Sequence, residues 1–185
     1  VSASDGQSGL NQVRYSWDSN PMGTTCTSGG TTTSNGATLT MPSAGSHTLY
    51  LCARDNVGRV TTWSGTYRWD SANPALSANG GNAAWTTTQK KPVVSSSDSQ
   101  SGLNQVRYHF VNSTTNPFNA TCTSGGTGTT SNGATLSAPT GGTRLWLCAR
   151  DNSGRVTTWN QTYNWESTKP TLSLTNSSTT WFNTN

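Results

Sequence analysis

Charged side chains are scarce in this chain. Its 185 residues include 11 Lys or Arg and 7 Asp or Glu, a charged share of 10%, where ordinary globular domains carry roughly 25%. The basic residues are scattered, and Lys90-Lys91 is the sole adjacent pair. No basic stripe exists of the kind that follows a nucleic-acid backbone. Hydrophobic residues are also few, at 30%, and no apolar run approaches the ~20 residues of a membrane-spanning helix. Small polar residues fill the gap, with 26 Ser, 34 Thr and 18 Asn. These are poor helix formers, which excludes a helical protein. Eight Trp, five Tyr and three Phe with a net charge of only +4 exclude the low-aromatic, highly charged composition of disordered chains. Thr-rich β-structure remains.

Self-comparison shows a duplication. Residues 7–15 (QSGLNQVRY) recur unchanged at 100–108, residues 25–31 (TCTSGGT) at 121–127, and residues 58–63 (GRVTTW) at 154–159. Leu51-Cys-Ala-Arg-Asp-Asn56 returns as Leu147 to Asn152. The offset is 93 at Tyr15/Tyr108 and 96 at Cys26/Cys122, so the second copy has three extra residues between Asn112 and Ala120. The match continues through Pro74/Pro170 to Trp85/Trp181. Polar linkers ending in proline, Trp69-Asp-Ser-Ala-Asn-Pro74 and Trp165-Glu-Ser-Thr-Lys-Pro170, mark boundaries. They predict a first repeat at 1–73 lacking its opening strands, a complete repeat at 74–169, and the opening strands of a following repeat at 170–185.

Period-two alternation predicts the strands. Val13, Tyr15 and Trp17 share one face, as do Val106, Tyr108 and Phe110. Leu49, Leu51 and Ala53 share another, matched by Leu145, Leu147 and Ala149. Ala37, Leu39 and Met41 read as a short strand after the Asn35-Gly36 turn. Trp63, Tyr67 and Trp69 share a parity that Val60 does not, which predicts a bulge or sheet crossing there. About seven strands in ~93 residues indicate an all-β fold of tandem β-sandwiches.

Cys26 and Cys52 are 26 residues apart, and so are Cys122 and Cys148. One pair per copy at equal spacing reads as one disulfide within each repeat and implies an oxidising, extracellular setting. Cys52 lies on the opposite parity from Leu51, which places the bridge on the outer sheet face or edge. No His or Cys stands beside the pairs to complete a zinc site.

At this point the residues resemble a known family. Ser4-Asp-Gly-Gln-Ser-Gly-Leu10, a strand with Tyr15, and Leu51-Cys-Ala-Arg-Asp-Asn-Val-Gly-Arg-Val60 are similar to the immunoglobulin-like tandem repeats of bacterial secreted and cell-surface proteins. Pro74-Ala-Leu76 with Trp85, and Pro170-Thr-Leu172 with Trp181, match the family's opening segment. The Cys pair and the Arg at 59 and 155 depart from its common pattern. The resemblance implies an extracellular stalk, fibre or adhesin with no catalytic site, and a fold of this type does not assign a ligand.

Candidate sites follow from residue type and place. Asp5 and Asp98 sit in Ser-Asp-x-x-Ser-Gly turns, and Asp55 and Asp151 in Asp-Asn-x-Gly turns. Their oxygens suit Ca²⁺ if the turns meet, and they suit bonds to nearby backbone equally. Tyr50 and Trp146, on the outward parity beside the cysteines, suit stacking on a glycan, contact with a subunit, or shielding of the disulfide. Trp85 and Trp181 are expected to cap the core. His47 and His109 occupy unrelated positions, and no catalytic constellation is visible in the sequence. Leu172, Leu174 and Trp181 are expected to form an inter-subunit or inter-repeat strand, either within a longer array or by strand complementation. The expected partners are therefore other copies of the chain or adjacent repeats. The rival expectation is an adhesive, carbohydrate-binding surface module. Neither requires a cofactor, apart from the calcium reading.

Overall fold

The computed structural model describes residues 1–173. Among the described residues there are ten β-strands and no helix, and the fold is all-β: the first unit is a single four-stranded antiparallel sheet, and the second is a like sheet with a two-stranded second layer, so neither reaches the expected seven strands. The first unit comprises Val1–Pro74 with Asp98–Leu103 and Asp151–Arg155, and the second comprises Ala75–Ser97, Asn104–Arg150 and the chain from Val156.

The first unit contains β1 (Leu10–Trp17), β2 (Thr31–Thr33), β3 (Gly45–Asp55) and β4 (Val60–Trp69). They form one antiparallel sheet in the order β2-β1-β3-β4. The register sets Val13 opposite Ala53, Tyr15 opposite Leu51 and Trp17 opposite Leu49. Leu51 in turn faces Trp63, and His47 faces Tyr67. Directly paired residues share a sheet face, so the alternation in three separate segments builds one apolar surface.

The second unit contains β5 (Ala75–Ala78), β6 (Val94–Ser97), β7 (Leu103–Val111), β8 (Gly128–Thr130), β9 (Gly141–Asp151) and β10 (Val156–Trp165). Four of them repeat the first sheet in the order β10-β9-β7-β8, and β5 and β6 pair as a second layer. The apolar face here is closed. Leu145, Leu147, Ala149 and Tyr163 have no exposed surface, and Val94 is 1% exposed. The closing segment is held by main-chain bonds. Val94 N–H donates to the Ala134 carbonyl, Leu136 N–H to Pro92 and Ala138 N–H to Lys90, while the Tyr163 hydroxyl donates to the Asn79 carbonyl at 2.8 Å.

Three expectations from sequence are corrected. Ala37–Met41 forms no strand, and the short strand between β1 and β3 in the chain is Thr31–Thr33 instead. In the second unit the matching stretch bonds to residues 90–94. Among the described residues of the first unit, only Val1 does the same, through Ala37 and Gly36, so Leu39 and Met41 have no strand to pair with. Val60 lies at no bulge, because β3 and β4 pair without interruption from Gly45/Trp69 to Arg54/Val60. It faces the outer side and packs on the disulfide, and the register shift falls between Leu10 and Gln12. Trp85 does not cap the core, being 56% exposed.

Candidate functional site

The apolar face of the first sheet is an open groove of about 1040 Å³. Val13, Trp17, Leu49, Leu51, Trp63 and Tyr67 line it. Its exposure is best judged against the other unit, which repeats Leu49, Leu51, Ala53, Trp63, Tyr67 and Trp69 as Leu145, Leu147, Ala149, Trp159, Tyr163 and Trp165, though Trp17 is replaced by Phe110 and Gly65 by Gln161. Tyr67 is 45% exposed, whereas its counterpart Tyr163 is fully buried. Leu51 and Ala53 are partly exposed, whereas Leu147 and Ala149 are buried. Trp63 and Trp69 are also exposed. Burial pushes the Tyr163 phenol up to about 12. What the first unit lacks, among the described residues, is a counterpart of β5 and of the chain leading to β6.

The segment that covers this face in the second unit has a clear pattern. Pro74 and Ala78 are buried and Leu76 is partly buried, and they alternate with exposed Ala75 and Ser77. Pro170, Leu172 and Leu174 repeat that parity. Leu172 is fully exposed, while Leu174 and Trp181 lie outside the described residues.

The opposite sheet face carries the disulfides. Cys26–Cys52 and Cys122–Cys148 each join Cα atoms 5.9 Å apart. In each copy the loop after the first long strand folds over the sulfurs and buries them. Met22 in one copy and Phe118 in the other anchor that loop, and sequence alternation carries no signal for a loop anchor. A Cβ at Gly29 would collide with the Pro21 carbonyl and one at Gly30 with the Tyr15 carbonyl, so the return of the loop requires both glycines. Trp146 packs into this cluster at 7% exposure, and its indole N–H donates to the Ser113 carbonyl at 3.2 Å. It offers no open face for a glycan or subunit, because the Phe118 loop covers it. Tyr50 is half-buried against Met22 and the first disulfide.

The aspartate turns meet as pairs. Asp5 Oδ1 accepts the N–H groups of Gln7, Ser8 and Gly9. These bonds, led by that from Gly9, hold its carboxyl below the usual value. Asp55 Oδ1 accepts from Val57 and Arg59, and the Asn56 side chain donates to the Ser8 carbonyl. Asp98 and Asp151 repeat the arrangement. Asp98 Oδ1 accepts from Gln100, Ser101 and Gly102, and Asp151 Oδ1 from Arg155 and the Ser153 hydroxyl. In this second set a third carboxylate joins, from Asp70, which the sequence reading does not single out. One carboxylate oxygen from each of Asp70, Asp98 and Asp151 lies within 4.8 Å of the other two, and all three residues fall in the first unit.

Asp70 Oδ1 accepts from Ala72 N–H at 2.9 Å. Its carboxyl is held below the usual range by the Ser101 hydroxyl first, and also by Ala72, the Ser153 hydroxyl and the Arg155 charge, against the effect of burial. The Ser101 and Ser153 hydroxyls also lie 3.4 and 2.9 Å from Asp98 Oδ1 and Asp151 Oδ1, and no donor meets ordinary hydrogen-bond geometry at Asp70 Oδ2.

The sequence shows no constellation around His47, but the fold brings two polar side chains to it. Its Nδ1 lies 2.7 Å from Asp18 Oδ2 and its Nε2 lies 3.1 Å from Ser43 Oγ. The order is that of a Ser-His-Asp triad. Asp18 is 52% exposed, and its Oδ1 accepts Thr48 N–H. Its own N–H donates to the Thr48 carbonyl. Neither Ser43 nor His47 lines the groove. The arrangement clamps the end of β1 to β3. The His47 bond, ahead of that from Thr48, holds the Asp18 carboxyl below its ordinary value.

No known protein family profile matches the chain, and no curated protein matches it. Among solved structures it is similar to the fibronectin(III)-like modules of CbhA from Clostridium thermocellum, at 13% identity and a TM-score of 0.35 over 89% of this chain and 83% of that one. A likeness of that degree carries no weight for fold or function.

Proposed function

We propose that this chain is a non-catalytic structural element of an extracellular fibre or surface stalk, built from immunoglobulin-like repeats that complete one another's open face. The observation that carries the reading is the contrast between Tyr67 and Tyr163. Equivalent residues on equivalent sheets are half-exposed in one unit and fully buried in the other, and the difference is one covering segment.

The proposed occupant of the groove is a segment of the 74–89 pattern, supplied by an adjacent repeat of a longer array or by residues 170–185 of a second copy, whose sequence follows that of 74–89 from Pro170 to Trp181. Strand addition of this kind joins main-chain bonds to alternate side-chain pockets. A head-to-tail contact that does not close on itself gives a linear array. The gain is substantial. Burying the exposed half of three aromatics removes on the order of 75–125 Å² each, or roughly 6–9 kcal/mol before the cost of ordering the strand. The disulfides support an oxidising location.

A synthetic peptide of residues 170–185 tests the reading. It should bind a chain truncated after Lys169 at one to one and quench groove tryptophan fluorescence, while a scrambled peptide should not. The intact chain should form concentration-dependent oligomers that the free peptide dissolves. Absence of both effects would overturn it. A glycan-binding module would use the same exposed aromatics, and specific retention on a glycan array with no peptide binding would favour that reading instead.

A further inference from the structure

Six aspartates and one glutamate are all the acids in this chain, and three of them converge. Sparse charge makes the convergence of Asp70, Asp98 and Asp151 informative, because solvation of the surface does not account for it. Asp151 has no exposed surface. The Oδ2 atoms of all three are buried and accept no hydrogen bond. Each carboxylate is fixed through its other oxygen, by Ala72, by the Asp98 turn and by the Arg155 N–H respectively. Each of three neighbouring carboxylates therefore keeps one buried oxygen without a hydrogen-bond partner. Among the described residues the one ion pair is His47–Asp18. Arg155 Nε donates to the Asp70 backbone carbonyl, and its charge acts on the Asp70 carboxyl without an ion pair to it. A buried carboxylate oxygen that accepts no hydrogen bond is disfavoured.

We propose that Asp70, Asp98 and Asp151 form a calcium site. The donors are all hard oxygens, which suit Ca²⁺ and not zinc or copper. An ion about 2.4 Å from each oxygen fits a cluster whose oxygens lie within 4.8 Å of one another. A cleft of about 480 Å³ reaches Asp70, with Gln100, Ser101 and Ser153 also on its wall and Arg68 as its one cation; Asp98 and Asp151 lie behind that wall. The first copy supplies an internal control. Asp5 and Asp55 form the same pair of turns, yet Asp5 is exposed, and among the described residues no third carboxylate joins them. The chain therefore takes one ion at this site and none at Asp5/Asp55.

The test is calorimetric titration of chelator-treated protein with calcium chloride, paired with terbium luminescence excited through Trp69, the neighbour of Asp70. The expected result is one ion with a Kd of about 10⁻⁴–10⁻³ M or tighter. Asp70→Asn should weaken binding at least tenfold with an unchanged ion-free circular dichroism spectrum, and Asp5→Asn should leave binding intact. No binding at concentrations well above that range would overturn the proposal. So would equal loss in Asp5→Asn and Asp70→Asn, while magnesium binding as tightly as calcium would overturn the choice of ion.

Discussion

Truncating the two equivalent tyrosines should have unequal effects, and the inequality measures how much the covering segment contributes. Tyr163→Ala removes a fully buried ring and leaves the Asn79 carbonyl without its donor. Aromatic-to-Ala changes in a closed core cost about 3–5 kcal/mol. Tyr67 keeps 45% of its surface exposed, so Tyr67→Ala forfeits about half as much burial and leaves a cavity already open to water. The expected cost is about 1.5–2.5 kcal/mol, scaled from the same series. Hydrogen exchange followed by mass spectrometry reads both, since slow amides report local and global opening. Peptides from β9 and β10 should lose protection by roughly a hundredfold or more in Tyr163→Ala. Peptides from β3 and β4 should lose about ten- to sixtyfold in Tyr67→Ala, on the scale of tenfold per 1.4 kcal/mol. Adding the 170–185 peptide should raise the second loss towards the first. Equal losses in the two units without peptide would refute the open face, and equal losses before and after peptide would refute its completion.

Two further outcomes follow from chemistry already described. Replacing Cys26 and Cys52 together by Ala opens a loop of 26 residues and should cost about 3.5 kcal/mol in the chain-entropy treatment; unchanged unfolding by denaturant would refute a stabilising role. The Asp18 carboxyl is depressed below 3.8 by its bond to His47, so its contribution to stability is complete above pH 3.8 and is lost as pH falls through the lower folded value. Asp18→Asn should flatten that acid limb in a stability–pH series, and an identical limb in both proteins would show that the clamp contributes nothing.

Several properties were readable without coordinates. The β class follows from a composition that cannot sustain helices. The duplication and the cysteine spacing are explicit in the text of the chain. The inner face of each long strand follows from alternation, because parity is local and needs only neighbours in sequence. Tertiary structure decided what covers each face. Trp146 has the parity of an outward residue but is buried, because a loop anchored by Phe118 returns over it. Tyr67 and Tyr163 occupy equivalent places in their strands yet differ in burial, because a segment distant in the chain lies over one of them. Trp85 was expected in the core and is exposed. Asp70 shows the limit most clearly. It stands 28 residues before Asp98, which is 53 before Asp151. No periodicity relates such positions, and only the folding of a linker, a turn and a strand end into one place sets their oxygens together.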